Sequence, residues 1–251
     1  MPDNILSFCM FFMSGCLIGT IGNGCVDYFL KKIGKDARYC KACGLEYDWH
    51  GKLLVSPFLL LKGRCCSCGA KVNGRYSFME LMNGLLYIIV FMANGCNVQS
   101  ILYCLMTSAF LVISIVDENT FEIPLPCNLF IGGIGIIMCV YDFNHIVDYL
   151  IGFIAVSGVL YLLYLLSGGA LIGGGDVKLM AATGLLLGWK KTTLAFFVAC
   201  ILGAVIHSIR MKVSKKEHML AMGPYLCAAL WICALWGDAM IAWYFGQIVH
   251  H

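Results

Sequence analysis

Long apolar runs recur along these 251 residues so often that they settle the class of fold before any motif is considered. Between polar punctuation they fall at residues 5–30, 78–95, 100–116, 127–141, 146–166, 177–189, 192–209 and 220–245. Each run of about 20 apolar residues is long enough to cross the hydrocarbon core of a bilayer. Inside that core every backbone N–H and C=O must find its partner within the protein, which favours helices. The expected fold is therefore an all-α polytopic membrane protein with about eight transmembrane helices. The runs at 127–141 and 177–189 are short for a full crossing. Composition agrees: 61% of residues are hydrophobic and 12% charged, and the mean hydropathy is +0.85. A soluble domain carries roughly 25% charged residues, so a water-soluble fold is excluded. The net charge of +3 implies no nucleic-acid partner.

The placement of charge gives a topology. With an even number of spans and both termini outside, residues 31–77, 117–126, 167–178 and 210–219 face the cytosol. The first of these regions holds Lys31, Lys32, Lys35, Arg38, Lys41, Lys52, Lys62, Arg64, Lys71 and Arg75. The third adds Lys178, and the fourth adds Arg210, Lys212, Lys215 and Lys216, so that fifteen of the seventeen basic residues lie on one side. Lys190 and Lys191 are the exceptions. Because Lys and Arg are retained on the cytoplasmic side, this orientation is preferred to its inverse, in an inner or plasma membrane. The first run lacks a basic leader and is too long for a signal peptide, so it is expected to be a retained span. The chain then divides into a first helix at residues 1–30, a cytoplasmic insertion at 31–77 and a membrane core at 78–251.

Nine of the fifteen cysteines lie in apolar runs, where a thiol packs as a small hydrophobe. The insertion is different. It carries Cys40-x2-Cys43 and, after a gap of 21 residues, Cys65-x2-Cys68. Four thiolates at this spacing suit a tetrahedral structural zinc. The metal would replace the hydrophobic core that so short a segment lacks. A four-cysteine site has no open position, so its role would be structural. Cys66, adjacent to the second pair, is a competing ligand, and ordinary reduced cysteines in a reducing cytosol are the plainer alternative.

The second constellation is acidic. Asp117 ends the third run in Asp117-Glu118-Asn119-Thr120-Phe121-Glu122-Ile123-Pro124, and Asp176 opens the sixth in Gly173-Gly174-Gly175-Asp176-Val177-Lys178. Ionisable residues at membrane depth are costly and usually functional. Two carboxylates on one side of the membrane are suited to aspartyl hydrolysis, in which one takes a proton from water while the other, protonated, polarises the scissile carbonyl. Like charges held close titrate as a unit. The glycines would allow a substrate backbone close to Asp176. Alone, either Asp also reads as a helix end in water, with Asp176 favoured at a helix N-terminus. Lys178 either biases the charge of the pair or is an ordinary cytoplasmic lysine. Glu118 and Glu122 are read as solvated.

In this order the motifs resemble those of the type IV prepilin peptidases, the bacterial GxGD intramembrane aspartyl proteases. The points of likeness are Gly15, Gly19 and Gly22, the two cysteine pairs, Arg75-Tyr76 with Glu80, Asp117 with Ile123-Pro124, Gly173-x-Gly175-Asp176-x-Lys178 and Gly223-Pro224-Tyr225. The resemblance covers nearly the whole chain. It implies removal, on the cytoplasmic side, of a short basic leader from a type IV prepilin or pseudopilin lying in the same bilayer, with Asp117 and Asp176 as the catalytic pair. It also implies, for members with the cysteine insertion, methylation of the new N-terminus from S-adenosylmethionine, with no donor site assignable to residues. Family members often place an acidic residue directly after the Ile-Pro, where this chain has Leu125. The alternatives are a proton- or cation-coupled transporter using the same carboxylates and an inactive pilus-assembly scaffold. No repeat relates the two halves of the chain, as one does in many transporters.

Overall fold

The computed structural model describes residues 2–32, 43, 67–70, 74–169, 172–214 and 221–249. Among them lie eight α-helices: α1 Pro2–Lys32, α2 Gly74–Asn94, α3 Val98–Thr120, α4 Leu125–Tyr141, α5 Ile146–Leu166, α6 Gly174–Leu187, α7 Trp189–Ser214 and α8 Gly223–Val249. Six of them hold segments long and apolar enough to cross a membrane, and the chain is a multi-pass membrane protein. The other two are α4, with 17 residues, and α6, with 14. At about 1.5 Å per residue, α6 runs roughly 21 Å and falls well short of the core thickness of about 30 Å.

Helix boundaries differ from the sequence expectation by up to five residues, and two of the shifts move residues singled out for chemistry. Helix α2 begins at Gly74, so Arg75 and Tyr76 stand in its first turn, not in the preceding loop. Helix α3 runs on to Thr120 and carries Asp117 on its last turns, inside the helix and buried. In both places a polar residue within an otherwise apolar helix was read as its end. Arg75 and Tyr76 bond to Asp27 and Asp117 is buried by neighbouring protein, so these residues do not end their helices in water.

The chain divides into two compact units, Met1–Thr120 and Phe121–His251. In the first, α1 packs along α2, and α3 packs on both. Small residues set the distance between α1 and α2. A Cβ on Gly15 would lie 2.8 Å from the Gly84 Cα, and one on Gly19 would lie 2.9 Å from the Glu80 Cα. Such near-contact of backbones is the usual means of helix association where lipid removes the hydrophobic drive. The buried residues of α2 (Tyr76, Met79, Glu80, Asn83, Gly84, Tyr87, Val90) form one stripe at helical spacing, and four of the seven are polar or aromatic with a hydroxyl.

In the second unit, α6 packs against α4 and α5, while α7 pairs with α8 and also meets α5. The α5–α6 crossing is closer still: a Cβ on Gly184 would stand 2.0 Å from the Gly152 carbonyl oxygen. Gly188, at φ +78, ends α6 and lets Trp189 open α7 without a loop. Between α4 and α5 a 3-10 turn at Phe143–His145 forms a polar corner. There the Asp142 carboxylate lies 2.9 Å from His145 Nδ1 and accepts from the Tyr149 hydroxyl at 2.9 Å.

Candidate active site

Asp176 stands in the first turn of α6, where the partial positive charge of a helix N-terminus favours a carboxylate. Its amide N–H donates to the Gly173 carbonyl at 3.1 Å. The three glycines ahead of it are not equivalent. A Cβ on Gly173 would come within 3.1 Å of Asp176 Oδ2, in the space the carboxylate uses. A Cβ on Gly175 would come within 3.0 Å of the Ile123 Cβ. One on Gly174 would meet nothing nearer than the Tyr164 ring, at 3.7 Å. The sterics of this turn thus spell Gly-x-Gly-Asp: the first glycine makes room for the aspartate, the third lets Ile123 approach, and the middle position is free.

Ile123 belongs to the Ile123-Pro124 step that leads into α4. Pro124 caps α4 with extended dihedrals (φ −63, ψ 125), and a second proline follows at Pro126 within the first helical turn. One turn along, Asn128 donates from Nδ2 to the Gly175 carbonyl at 3.4 Å. The Ile-Pro motif and the glycine turn, some fifty residues apart in sequence, therefore form one local structure.

Asp117 lies in the first unit and is 4% exposed. Its helix neighbours Val112, Ile113 and Val116 are buried apolar residues, so its carboxylate is carried on an otherwise dry helix face. Glu118 and Glu122 are exposed, as is Lys178. Leu125, at the position that is often acidic in the resembling family, is also exposed.

The first unit holds a polar seam that the sequence only partly revealed. Thr20 donates to Glu80 at 3.0 Å, Asn23 donates to the Tyr76 carbonyl at 3.0 Å, and Asn83 donates to the Gly15 carbonyl at 2.7 Å. Asp27 pairs with Arg75 and accepts from the Tyr76 hydroxyl at 2.8 Å. The seam continues through Ser108, which bonds Asn83 and Tyr87. Glu80 is 0% exposed and Asp27 2%. Arg75, Tyr76 and Glu80 were singled out in the sequence, whereas Asp27 and Asn83 were not, although an Asp within the first apolar run was a visible signal.

Of the four zinc-ligand candidates, Cys40 and Cys65 lie outside the described residues. Cys43 and Cys68 are exposed turn residues, and Gly69, directly after Cys68, has φ +69. Among the described residues no group of three or more metal-binding side chains converges.

Comparison with known proteins adds three findings. The profile of the type IV leader peptidase family matches residues 104–208, which include Asp117, Asn128 and Asp176. That of the bacterial peptidase A24 N-terminal domain matches residues 13–94, which include the α1 and α2 residues of the seam and all four candidate zinc ligands. The chain is also similar to curated proteins named prepilin leader peptidase/N-methyltransferase. It is 32% identical to that of Aeromonas salmonicida (strain A449) over 218 residues, 84% of this chain and 75% of the relative. The protein of Pseudomonas putida is 29% identical over 215 residues, 82% and 74% of the two chains. That of Neisseria gonorrhoeae is 31% identical over 206 residues, 80% and 71%. No solved structure matches.

Proposed function

This chain belongs to the type IV leader peptidase family, and from that premise we propose that it cleaves the leader of a prepilin with Asp117 and Asp176 as its catalytic pair. The observation that carries the proposal is the turn around Asp176, where each glycine of the Gly-x-Gly-Asp pattern has its own steric reason and the Ile-Pro step packs into it. A turn shaped to hold one carboxylate, at a helix N-terminus that favours its ionised form, fits a group that must take a proton from water. Asp117, buried at 4% exposure, is the second carboxyl of the proposed pair.

In the mechanism, the ionised carboxylate accepts a proton from water as the water oxygen attacks the scissile carbonyl carbon. The protonated carboxyl donates to the carbonyl oxygen. As the tetrahedral intermediate collapses, the C–N bond breaks and the leaving amine takes a proton from the dyad, which returns to its starting state. No metal enters these steps. The substrate is a prepilin or pseudopilin whose apolar helix lies in the bilayer among the spans and whose basic leader stays in the cytosol. The distribution of Lys and Arg supports an inner-membrane protein with this site on the cytoplasmic side.

The names of the relatives support N-methylation as a second activity, in which bound S-adenosylmethionine would supply a methyl group to the new N-terminal amine. A zinc ion would be held by Cys40, Cys43, Cys65 and Cys68 and would brace the 31–77 insertion. The left-handed Gly69 after Cys68 fits the tight turn by which a Cys-x2-Cys knuckle offers two sulfurs to one metal. No observation favours the transporter or scaffold readings.

The test is cleavage of a prepilin with a short basic leader by the purified chain in lipid, beside folded Asp117→Asn and Asp176→Asn variants. Both variants are expected to lose cleavage. Full activity in either would remove it from the pair, and an inactive wild type on several cognate prepilins would overturn the peptidase reading.

A further inference from the structure

Asn128 sits in the first turn of α4 at 4% exposure, and the other buried residues of that helix are Ile131, Ile134, Gly135, Met138 and Cys139. Local structure does not call for an amide there. The N-cap is Pro124, which makes no side-chain cap, and Asn is a poor residue for a helix interior. The side chain nevertheless makes a specific contact, from Nδ2 to the Gly175 carbonyl at 3.4 Å. That carbonyl and the amide N–H of Asp176 belong to one peptide plane, and the N–H is held by the Gly173 carbonyl at 3.1 Å. Both edges of the plane are therefore fixed, and with them the Cα from which the Asp176 carboxylate is aimed. A carbonyl oxygen has two lone pairs, so the Gly175 oxygen can accept the amide and still serve its helix.

The other end of the amide is unsatisfied. Asn128 Oδ1 is fully buried and has no hydrogen-bond partner. An unpaired buried acceptor is destabilising, and a leucine of similar size would avoid the penalty. Such orphans persist where function needs them.

Given Asp176 as a catalytic residue, we propose that Asn128 is its positioning residue, with Nδ2 fixing the Gly175–Asp176 peptide and the unsatisfied Oδ1 retained as the cost of that role. The proposal makes stability and activity move in opposite directions, which a structural role does not. Asn128→Leu removes the orphan acceptor, so its melting temperature in the same detergent is expected to stay level or rise, while kcat for prepilin cleavage falls at least about tenfold. Asn128→Gln keeps an amide N–H with the reach to donate to the Gly175 carbonyl and is expected to recover at least about a third of the wild-type kcat.

The experiment runs these variants with the wild type, Asp117→Asn and Asp176→Asn on one prepilin. An Asn128→Leu protein that cuts at the wild-type rate, beside inactive aspartate variants, overturns the role of Asn128 and leaves the dyad standing. An Asn128→Leu protein that loses rate and melting temperature together, with no recovery in Asn128→Gln, makes the residue structural and also overturns the proposal. An Asp176→Asn protein that still cuts overturns both readings.

Discussion

Gly174 is the position in the Gly173–Gly175 run where a methyl group has room, and this makes the turn testable one atom at a time. Gly174→Ala is expected to keep cleavage within about twofold of wild type, because its Cβ meets only the Tyr164 ring at van der Waals distance. Gly173→Ala and Gly175→Ala are each expected to lower it at least about tenfold, the first by displacing the Asp176 carboxylate and the second by pushing back Ile123. Prepilin cleavage by the three purified variants decides the matter, and Ile123→Gly, which removes the Cβ that the new methyl meets, should restore part of the loss in Gly175→Ala alone.

The buried Asp27–Arg75 pair makes a second residue-scale prediction. Asp27→Ala leaves the part-buried Arg75 and the Tyr76 hydroxyl without this carboxylate, so it is expected to lose about 1.5–3 kcal/mol in denaturant unfolding. Removing both charges, in Asp27→Ala with Arg75→Leu, should regain much of that loss, since the desolvation of both partners is then relieved as well. At the α4–α5 corner, the His145 imidazole and then the Tyr149 hydroxyl hold the Asp142 carboxyl below its ordinary value. A depressed carboxyl stabilises the fold above the unfolded pKa and loses that contribution as pH falls through the native one. Asp142→Asn should therefore melt below wild type at neutral pH, and the gap should close below about pH 4.

At the scale of elements, glycine spacing decides which helices can meet. Helices α5 and α6 touch backbone to backbone at Gly152 and Gly184, where an added Cβ would fall 2.4 Å and 2.0 Å from the opposing carbonyl oxygen. No rotamer change relieves a clash with backbone, so Gly184→Ala must separate the two helices and disturb the site that α6 carries. It is expected to cost more than about 3 kcal/mol and to leave little active protein. Gly132→Ala, whose Cβ would meet the Ala182 methyl at 3.9 Å, is the control and should be near neutral. In α1 and α2 the same device brings two polar stripes together. Interhelical hydrogen bonds in membranes average only about 0.6 kcal/mol each, so the seam stabilises modestly. Its larger effect is to fix register, because a shift of one residue would leave several of its polar groups buried without partners.

At the scale of the whole molecule, orientation and metal content are the open physical questions, and each has a direct measurement. Helix α2 separates the cysteine insertion from Cys96, which is exposed beyond its C-terminal end. A membrane-impermeant maleimide applied to intact spheroplasts is expected to modify Cys96, and to reach Cys43 and Cys68 only after the membrane is opened and the metal chelated. The reverse pattern would invert the topology. Elemental analysis of the purified chain should find about one zinc per chain. Chelation at mildly acidic pH should free the four thiols for labelling without abolishing cleavage, because the metal takes no part in the hydrolytic steps.

Much of the fold was legible in sequence, and the reason is physical. Whether a run of residues enters a bilayer depends on its own transfer free energy and length, so the spans emerged close to where apolar runs begin and end, and α6 was already seen to be short. The two aspartates, the glycine run and the cysteine pairs were equally plain, because chemistry depends on residue type and spacing. Tertiary structure alone decided which polar residues are interior. Arg75, Tyr76 and Asp117 looked like helix ends and proved to lie within helices, the first two because Asp27 on another helix takes the place of water and the third because neighbouring protein covers it. It also decided that Gly174 is the free glycine, that Ile123 and Asn128 close on the turn of Asp176, and that Asp27 meets Arg75. Each of these depends on which face of one helix meets which face of another, and that contact joins residues some fifty positions apart, beyond the reach of any local pattern.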